Sequence, residues 1–307
     1  DSSESGLVGY WKFDEGTNSG SILDSSSYGN TGTRRGGAGK IWSGSSLPSL
    51  QFENRYAMQF DGTDDYVSLG SSSSLNLTST TFSTWVNVTS FLDNKYFLAD
   101  FDTAGSKSNG SMRIRNVSGN HFGLFQSYTD TTSAAIESIT ARSTGTWYHV
   151  AVVRDDTAKT LNLYVNGVLD ATQVSYTGKT VQSLQLDKRL ARDGNYSASP
   201  TFFNGSLDDV RIYNRALSAN EVANLARGRY ASGNASTSTF TLGANLSTAT
   251  LALDSGNIST SNRTLTVTNA LQLLRGGGNI TLGSATTTLN GGLTLSGGTL
   301  TGGAGTL

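Results

Sequence analysis

The segment Trp147-Tyr-His-Val-Ala-Val-Val-Arg154 constrains the fold more than any other stretch of this 307-residue chain. It is apolar on both alternations, so a strand formed here needs cover on both faces and belongs at the centre of a sheet. The turn Asp155-Asp156-Thr157-Ala158-Lys159 follows, then Leu161-Asn-Leu-Tyr-Val165 and Asn166-Gly167. Asn-Gly suits a type I′ hairpin because both central residues need positive φ, and Val168-Leu169 begins the return strand. Further strands are expected at 8–13, 57–60, 65–69, 81–88, 95–101, 111–115 and 207–213. Many short strands separated by turns predict an all-β sandwich. One short helix is expected, because Ser218-Ala-Asn-Glu221 has capping-box spacing, Val222 and Leu225 supply an apolar stripe, and Gly228 ends it.

The chemistry of the chain changes near Tyr230. Before it lie all four Trp, both His, both Met and nearly every charge; after it the charges are Asp254, Arg263 and Arg275, and the one aromatic is Phe240. The expected organisation is a sandwich over 1–229, a small polar linker over 230–238 and a Thr/Leu/Gly β-repeat over 239–307. The runs Leu251-Ala-Leu253, Leu265-Thr-Val267, Ile280-Thr-Leu282 and Leu293-Thr-Leu295 start roughly 13 to 15 residues apart. Each is too short to bury its own apolar face, so the repeat is expected to stack as a β-solenoid or to exchange strands with another copy of the chain. The pattern breaks off at Leu307 without a capping segment, which is read as a chain that continues or is covered by another copy.

Several classes are disfavoured. There is no cysteine, hence no disulfide framework. No apolar run reaches the roughly 18 to 20 residues that span a bilayer. Net charge is −1, and the nearest approaches to a basic patch, Arg34-Arg35 and Arg113 with Arg115, read as solvated surface and not as a phosphate-binding stripe. Nucleic acid is therefore not an expected partner. The polar start at Asp1 reads as a mature N-terminus after leader removal or as a fragment boundary. With the Gly-, Ser- and Thr-rich composition it suggests an extracellular or cell-surface protein.

Four segments occur together: Gly6-Leu-Val-Gly-Tyr-Trp-Lys-Phe-Asp-Glu-Gly16; Met58-Gln-Phe-Asp-Gly-Thr-Asp-Asp-Tyr-Val67; Trp147–Arg154 with Val165-Asn-Gly167; and Phe203-Asn-Gly-Ser-Leu-Asp-Asp-Val-Arg-Ile-Tyr-Asn-Arg-Ala-Leu-Ser218. Their kinds and order resemble the laminin G-like domains of bacterial surface proteins, of the concanavalin A-like lectin/glucanase type, over about 6–229. The resemblance implies a jelly roll of two antiparallel sheets whose first and last strands are neighbours. It does not reach past the linker.

That fold hosts both lectins and glycan-cleaving enzymes. Retaining glycosidases need two carboxylates about 5 Å apart, which laminarinase-like relatives supply as Glu-x-Asp-x-x-Glu or Glu-x-Asp-x-Glu. The five glutamates here, Glu4, Glu15, Glu53, Glu137 and Glu221, match neither spacing, and a non-catalytic protein is expected. The pairs Asp64-Asp65, Asp155-Asp156 and Asp208-Asp209 would place adjacent side chains on opposite faces of a strand. A structural Ca²⁺ site is a second expectation, since Ca²⁺ takes six to eight oxygens. Its candidate ligands are Asp14 (or Glu15), Asp24 and Asn30 of the early loop, and Asp208. The last opens an Asp-x-Val-Arg-x-Tyr strand, whose Asp binds Ca²⁺ in laminarinase-like relatives. Tyr28, Tyr128, Tyr176 and Tyr196 fall in expected loops, where a ring could stack on a sugar. The expected role is binding of carbohydrate or another surface ligand on a β-repeat stalk; the alternative is a structural subunit of a self-assembling filament or surface layer.

Overall fold

The computed structural model describes residues 4–16, 20–36, 42–43, 47–48, 54–92, 95–101, 112–171, 173–181, 187–193, 201–228, 239–241, 244–253, 257–259, 263–273, 279–281, 287–289, 292–295 and 299–301. The chain divides into two compact units, Asp1–Ala231 and Ser232–Leu307.

In the first unit the strands are β1 (Leu7–Trp11), β2 (Ser21–Ile22), β3 (Gly32–Arg35), β4 (Trp42–Ser43), β5 (Ala57–Asp61), β6 (Tyr66–Ser68), β7 (Thr80–Val88), β8 (Tyr96–Phe101), β9 (Met112–Val117), β10 (His121–Ser127), β11 (Ser133–Glu137), β12 (Trp147–Asp155), β13 (Thr160–Val165), β14 (Val168–Leu169), β15 (Val174–Ser175), β16 (Asp187–Leu190) and β17 (Asn204–Tyr213). They form a nine-stranded sheet in the order β14-β13-β12-β7-β17-β5-β4, with β1 on β17 and β15 on β13, and an eight-stranded sheet in the order β11-β10-β9-β8-β16-β6-β3-β2. All of these pairings are antiparallel.

β12 lies between β7 and β13, as its two-sided apolar pattern requires. Val150 and Val152 enter the main core with Trp11, Phe82, Phe97, Phe122 and Phe203. Ala151 and Val153 face the other way, into a second cluster with Tyr10, Tyr213, Val222 and Leu225. The helix α1 (Ala219–Leu225) provides that second layer, and its Ser218/Glu221 capping box forms as expected. Asn166 and Gly167 take positive φ at the β13–β14 turn. Between the sheets, Phe97 meets Phe203 and Phe122 edge-on with ring centroids 5.1 and 5.6 Å apart. Arg154 on β12 crosses the core, donating to Gln126 Oε1 on β10 at 2.7 Å and to the carbonyls of Leu77 and Thr78 at 2.6 Å each. Its Nη1 bond to Gln126 joins the two sheets, while Nε and Nη2 hold the segment that leads into β7.

The first and last strands are neighbours, with Leu7, Tyr10 and Trp11 opposite Tyr213, Arg211 and Val210. A buried ion cluster backs this junction. Arg211 lies 4.3 Å over the Tyr10 ring, donates to the Tyr10 hydroxyl at 3.0 Å and pairs with Asp209 at 3.0 Å. Glu4 accepts from the Tyr213 hydroxyl at 2.9 Å. β17 carries a bulge between Asp208 and Arg211, where Asp209 takes φ 53°. The extra residue sends Asp208 and Asp209 to the same outer face, correcting the expectation of opposite faces. Asp64 and Asp65 depart from that expectation too: they sit in a turn, where their carboxylate oxygens and one of Asp61 lie within 4.8 Å of one another. Asp155 behaves as a turn former, accepting from the Thr157 and Ala158 amides.

The second unit is parallel. β18 (Thr239–Thr241), β20 (Asn257–Ser259), β22 (Asn279–Thr281) and β25 (Thr299–Thr301) make one sheet, and β19 (Leu246–Leu253), β21 (Leu265–Leu273), β23 (Thr287–Leu289) and β24 (Gly292–Leu295) the other. Phe240, Ile258, Ile280 and Leu300 fall in one register row, and Leu251, Leu271 and Leu293 in another. The repeat that pairs is therefore about 20 residues long, not 13 to 15. The runs at 251–253 and 265–267 lie on the paired strands β19 and β21 but in different rows, since Leu265 is opposite Leu246 and Leu251 is opposite Leu271, so these adjacent runs are not register partners.

Candidate functional site

Two places in the first unit gather chemistry beyond packing. The first is the end of the nine-stranded sheet near the bulge. Asp208 is fully buried; its Oδ2 accepts from Asn54 Nδ2 at 2.8 Å, while its Oδ1 has no hydrogen-bond partner. Burial raises its pKa well above the ordinary carboxylate value, and the charges of Asp209 and Asp14 push in the same direction. Asp14 Oδ1 accepts the Arg55 and Tyr56 amides at 2.7 and 3.1 Å. Asp14 and Asp208 thus share one charged neighbourhood. An orphaned buried oxygen beside a second carboxylate and a carboxamide fits a hard cation. Asp24 and Asn30 are engaged elsewhere. The two oxygens of Asp24 accept the Tyr10, Ser26 and Asn30 amides and the Ser26 hydroxyl. Asn30 donates to Val8 O at 2.7 Å and to Ser74 Oγ at 2.9 Å, and its own carbonyl receives the Trp11 indole N–H at 2.9 Å. These two residues tie the early loop to β1, and the expected four-ligand set separates into two structures. Glu15 accepts the Leu23 amide at 2.8 Å, with its pKa raised by burial.

The second place is the outer face of the eight-stranded sheet. Phe125, Arg113, Ala99, Arg189 and Ser68 are register partners in a single line across β10, β9, β8, β16 and β6. Leu124, Ile114, Leu98, Leu190 and Val67, beside them in their strands, belong to the main core, so this line faces outward. Arg115, two residues from Arg113, shares the face, and Arg35 is paired with Tyr66 at its other side. Arg113 and Arg189 flank buried Ala99 with one strand between them, about 10 Å apart along the sheet. Segment 191–193 adds Arg192 and Asp193. Aromatic rings organise the cations: Arg113 lies 5.6 Å from the Phe125 centroid, Arg189 and Arg192 lie 5.1 and 4.8 Å from Tyr66, and Arg192 lies 5.5 Å from Phe202. Arg189 also pairs with Asp187 at 2.7 Å.

Asp193 is buried among these cations. Burial raises its pKa, while the Thr201 amide and the charges of Arg192, Arg113 and Arg189 oppose the rise, and its Oδ1 has no hydrogen-bond partner. Arg113 is also buried, and its Nε–H has no acceptor. Leaving such a group unsatisfied costs about 1–3 kcal/mol. In sequence Arg113 and Arg115 form only an isolated basic pair, which does not mark a face. Their i, i+2 spacing on one strand is the signal that both point the same way. The sheet order then brings in Arg189 and Arg192 from more than seventy residues away.

The expected sugar-stacking tyrosines divide. Tyr28 is 52% exposed in the early loop, as is Leu23 at 57%. Tyr128 and Tyr176 are buried and stack on each other at 5.5 Å. Their rings face each other and not solvent, and burial lifts the Tyr128 hydroxyl to about 12. Tyr196 and Glu53 lie outside the described residues. The four described glutamates include two with structural partners already given, Glu4 and Glu15. Glu221 binds Arg215 and caps α1, and Glu137 is exposed on β11. His149 is buried, hydrogen-bonded to Ser83 Oγ at 2.8 Å, and its pKa falls to about 3 because burial disfavours the cation, so the ring stays neutral.

The family model for the concanavalin A-like lectin/glucanases superfamily matches residues 61–223. The chain belongs to this superfamily. Solved structures similar to it include domain 4 of an extracellular GH43 arabinanase from Geobacillus stearothermophilus in complex with arabinotriose, at 20% identity over 73% of this chain and 99% of that one, TM-score 0.55. The binding domain of botulinum neurotoxin serotype G matches at 15% identity over 72% and 50% of the two chains, TM-score 0.53. The binding domain of Paraclostridial mosquitocidal protein 1 matches at 16% over 72% and 52%, TM-score 0.53. This chain spans about half the length of those two toxin domains. At these identities the similarity establishes the jelly-roll fold. No match was found among curated proteins. Among the described residues no helix is long and apolar enough to cross a membrane.

Proposed function

We propose that the first unit is a non-catalytic carbohydrate-binding module of an extracellular or cell-surface protein, and that the outer face of its eight-stranded sheet is the binding surface. The observation that carries this reading is the line Phe125–Arg113–Ala99–Arg189–Ser68, flanked by Tyr66 and Phe202. It combines rings, forked donors and a small-residue floor on one face, the mixture that orients a polar ligand over an apolar bed. The fold relative recorded with arabinotriose is in keeping with a sugar ligand. Among the described glutamates, only Glu137 sits on this sheet, and the described aspartates of its outer face, Asp187 and Asp193, lie among arginines, which supports a binding role. A Ca²⁺ held by Asp14 and Asp208, with the Asn54 amide turned to offer its oxygen, would brace the β1–β17 junction and neutralise two carboxylates without touching the sugar. A glycan array on the full chain, followed by product analysis of each sugar bound, tests the reading. Binding with the sugar recovered intact supports it; shortened products or an array silent for every sugar would overturn it.

A second reading rests on the parallel unit. Its register rows would extend as a β-solenoid stalk, and the edge strands β18 and β25 carry backbone groups able to pair with another copy. Size-exclusion chromatography across a hundred-fold concentration range would reveal assembly as growth in apparent size; a constant monomer removes this reading.

A further inference from the structure

We infer that the ligand of the outer face is acidic: a sugar whose carboxylate is received by Arg113 and its neighbouring arginines. This rests on the carbohydrate reading above and names the class of glycan. Five arginines reach this face, Arg35, Arg113, Arg115, Arg189 and Arg192. Among the described residues, the carboxylates on this face beside them are Asp187, which takes Arg189, and Asp193. Glu137 stands two strands from Arg115 beyond Gly123, and Asp61, Asp64 and Asp65 lie in the turn that leads into β6.

The geometry points to a carboxylate as the anion. Arg113 and Arg189 stand on either side of Ala99 in one register line, and a planar carboxylate is the anion that matches guanidinium forks; the charges of Arg113, Arg189 and Arg192 already act on Asp193. Arg113 holds a buried Nε–H without an acceptor, which a ligand oxygen would satisfy. The cations are fixed by rings on Phe125, Tyr66 and Phe202, so little side-chain ordering remains to be done on binding. A neutral sugar hydroxyl can accept from the buried donor, but only an anion also answers the charge of the guanidinium groups, and charge-assisted bonds are about twice as strong. An acidic peptide could meet it but would gain nothing from a flat aromatic and alanine floor that suits a sugar ring.

The test is calorimetric titration of the full chain with three acidic probes: a galacturonate tetramer, a hyaluronan tetramer and a sialylated trisaccharide. Each is run beside its carboxyl-methylated form, with a neutral arabinotetraose and a hexaglutamate peptide as further arms. At least one acidic sugar should bind, and its methyl ester should bind ten-fold or more weakly. Arg113→Met, which keeps the contact with Phe125, should reproduce that loss. Asp193→Asn, which removes the site's own competing carboxylate, should tighten binding several-fold, an effect opposite to that of damage to the fold. Thermal melts of both variants identify any that fail to fold, in which case Arg35→Gln, at an exposed position, should show a smaller loss. Equal binding of acid and ester, or binding of the neutral sugar alone, overturns the inference and leaves the carbohydrate reading standing. Hexaglutamate bound as tightly as the sugars also overturns it. Failure of every sugar overturns both.

Discussion

The two units of this chain solve the same problem, burial of short apolar strands, in opposite ways. In the first, partners come from distant parts of the sequence. β17 joins β1, β5 and β7, and the clasp from Arg154 reaches across the sandwich to Gln126. Large aromatic side chains and buried charges fill the layers. In the second, each strand pairs with its own counterpart one repeat later, in parallel and in register, using Leu, Thr and Ala. Non-local closure makes single polar residues decisive. Repetition spreads stability over like neighbours. The first unit can therefore carry a specific surface, whereas the second is suited to length.

The largest effect should come from the clasp. Arg154→Ala leaves Gln126 and two carbonyls without this donor and, at about 1–3 kcal/mol for each buried group left unmet, should lower the first unit's stability by about 3 kcal/mol or more in chemical denaturation; a loss below about 1 kcal/mol would show that the junction relaxes. Its counterpart in the parallel unit is Leu265, buried and in register with Leu246 and Thr287. Leu265→Ala should cost about 2–3 kcal/mol. Hydrogen exchange should show the loss along its register row, at 246–248 and 287–289, with the effect fading at Thr299–Thr301. Uniform loss through the unit would mean that it folds all-or-none and that the contrast is false.

Much of this contrast was legible in sequence. The two-sided pattern of Trp147–Arg154, the Asn166-Gly167 turn and the Ser218/Glu221 box are local signals, and each formed where its spacing required. The pairing of β1 with β17 followed from the resemblance of whole segments. What escaped notice depends on long-range order. Arg189 reaches Arg113 only because β8 and β16 are adjacent, and Tyr128 meets Tyr176 only once β13 and β15 have paired. The bulge at Asp209 was hidden because a non-glycine residue holds positive φ there, fixed by its ion pair to Arg211. In the parallel unit, the length of the pairing repeat was obscured because two sheets draw alternately on one run of similar sequence.

Two smaller effects sharpen the account. Asp208 has a folded pKa above its unfolded value, so the folded state binds the extra proton, and this group's contribution to stability falls as pH rises from about 4 toward the folded pKa. Without metal, Asp208→Asn should therefore stabilise the first unit at pH 7, by an amount of the order of 1 kcal/mol, and flatten that pH dependence in thermal melts. With a bound cation the sign reverses, and 5 mM Ca²⁺ should raise the melting temperature of the parent chain and not of the variant. No response to Ca²⁺ removes the metal from the account. Ser218→Ala should cost about 1 kcal/mol, confined to α1 and the strands beneath it; an unchanged melt would mean that the Arg215–Glu221 pair holds the helix start alone.

Everything proposed for the first unit turns on ligand binding at the outer face of the eight-stranded sheet. Hydrogen-exchange footprinting of the full chain with whichever oligosaccharide the array identifies tests it most directly. Exchange should slow in 96–101, 112–117 and 187–193 and stay unchanged in 23–30. Protection confined to the early loop around Tyr28, or to the hairpin at 165–170, would contradict it.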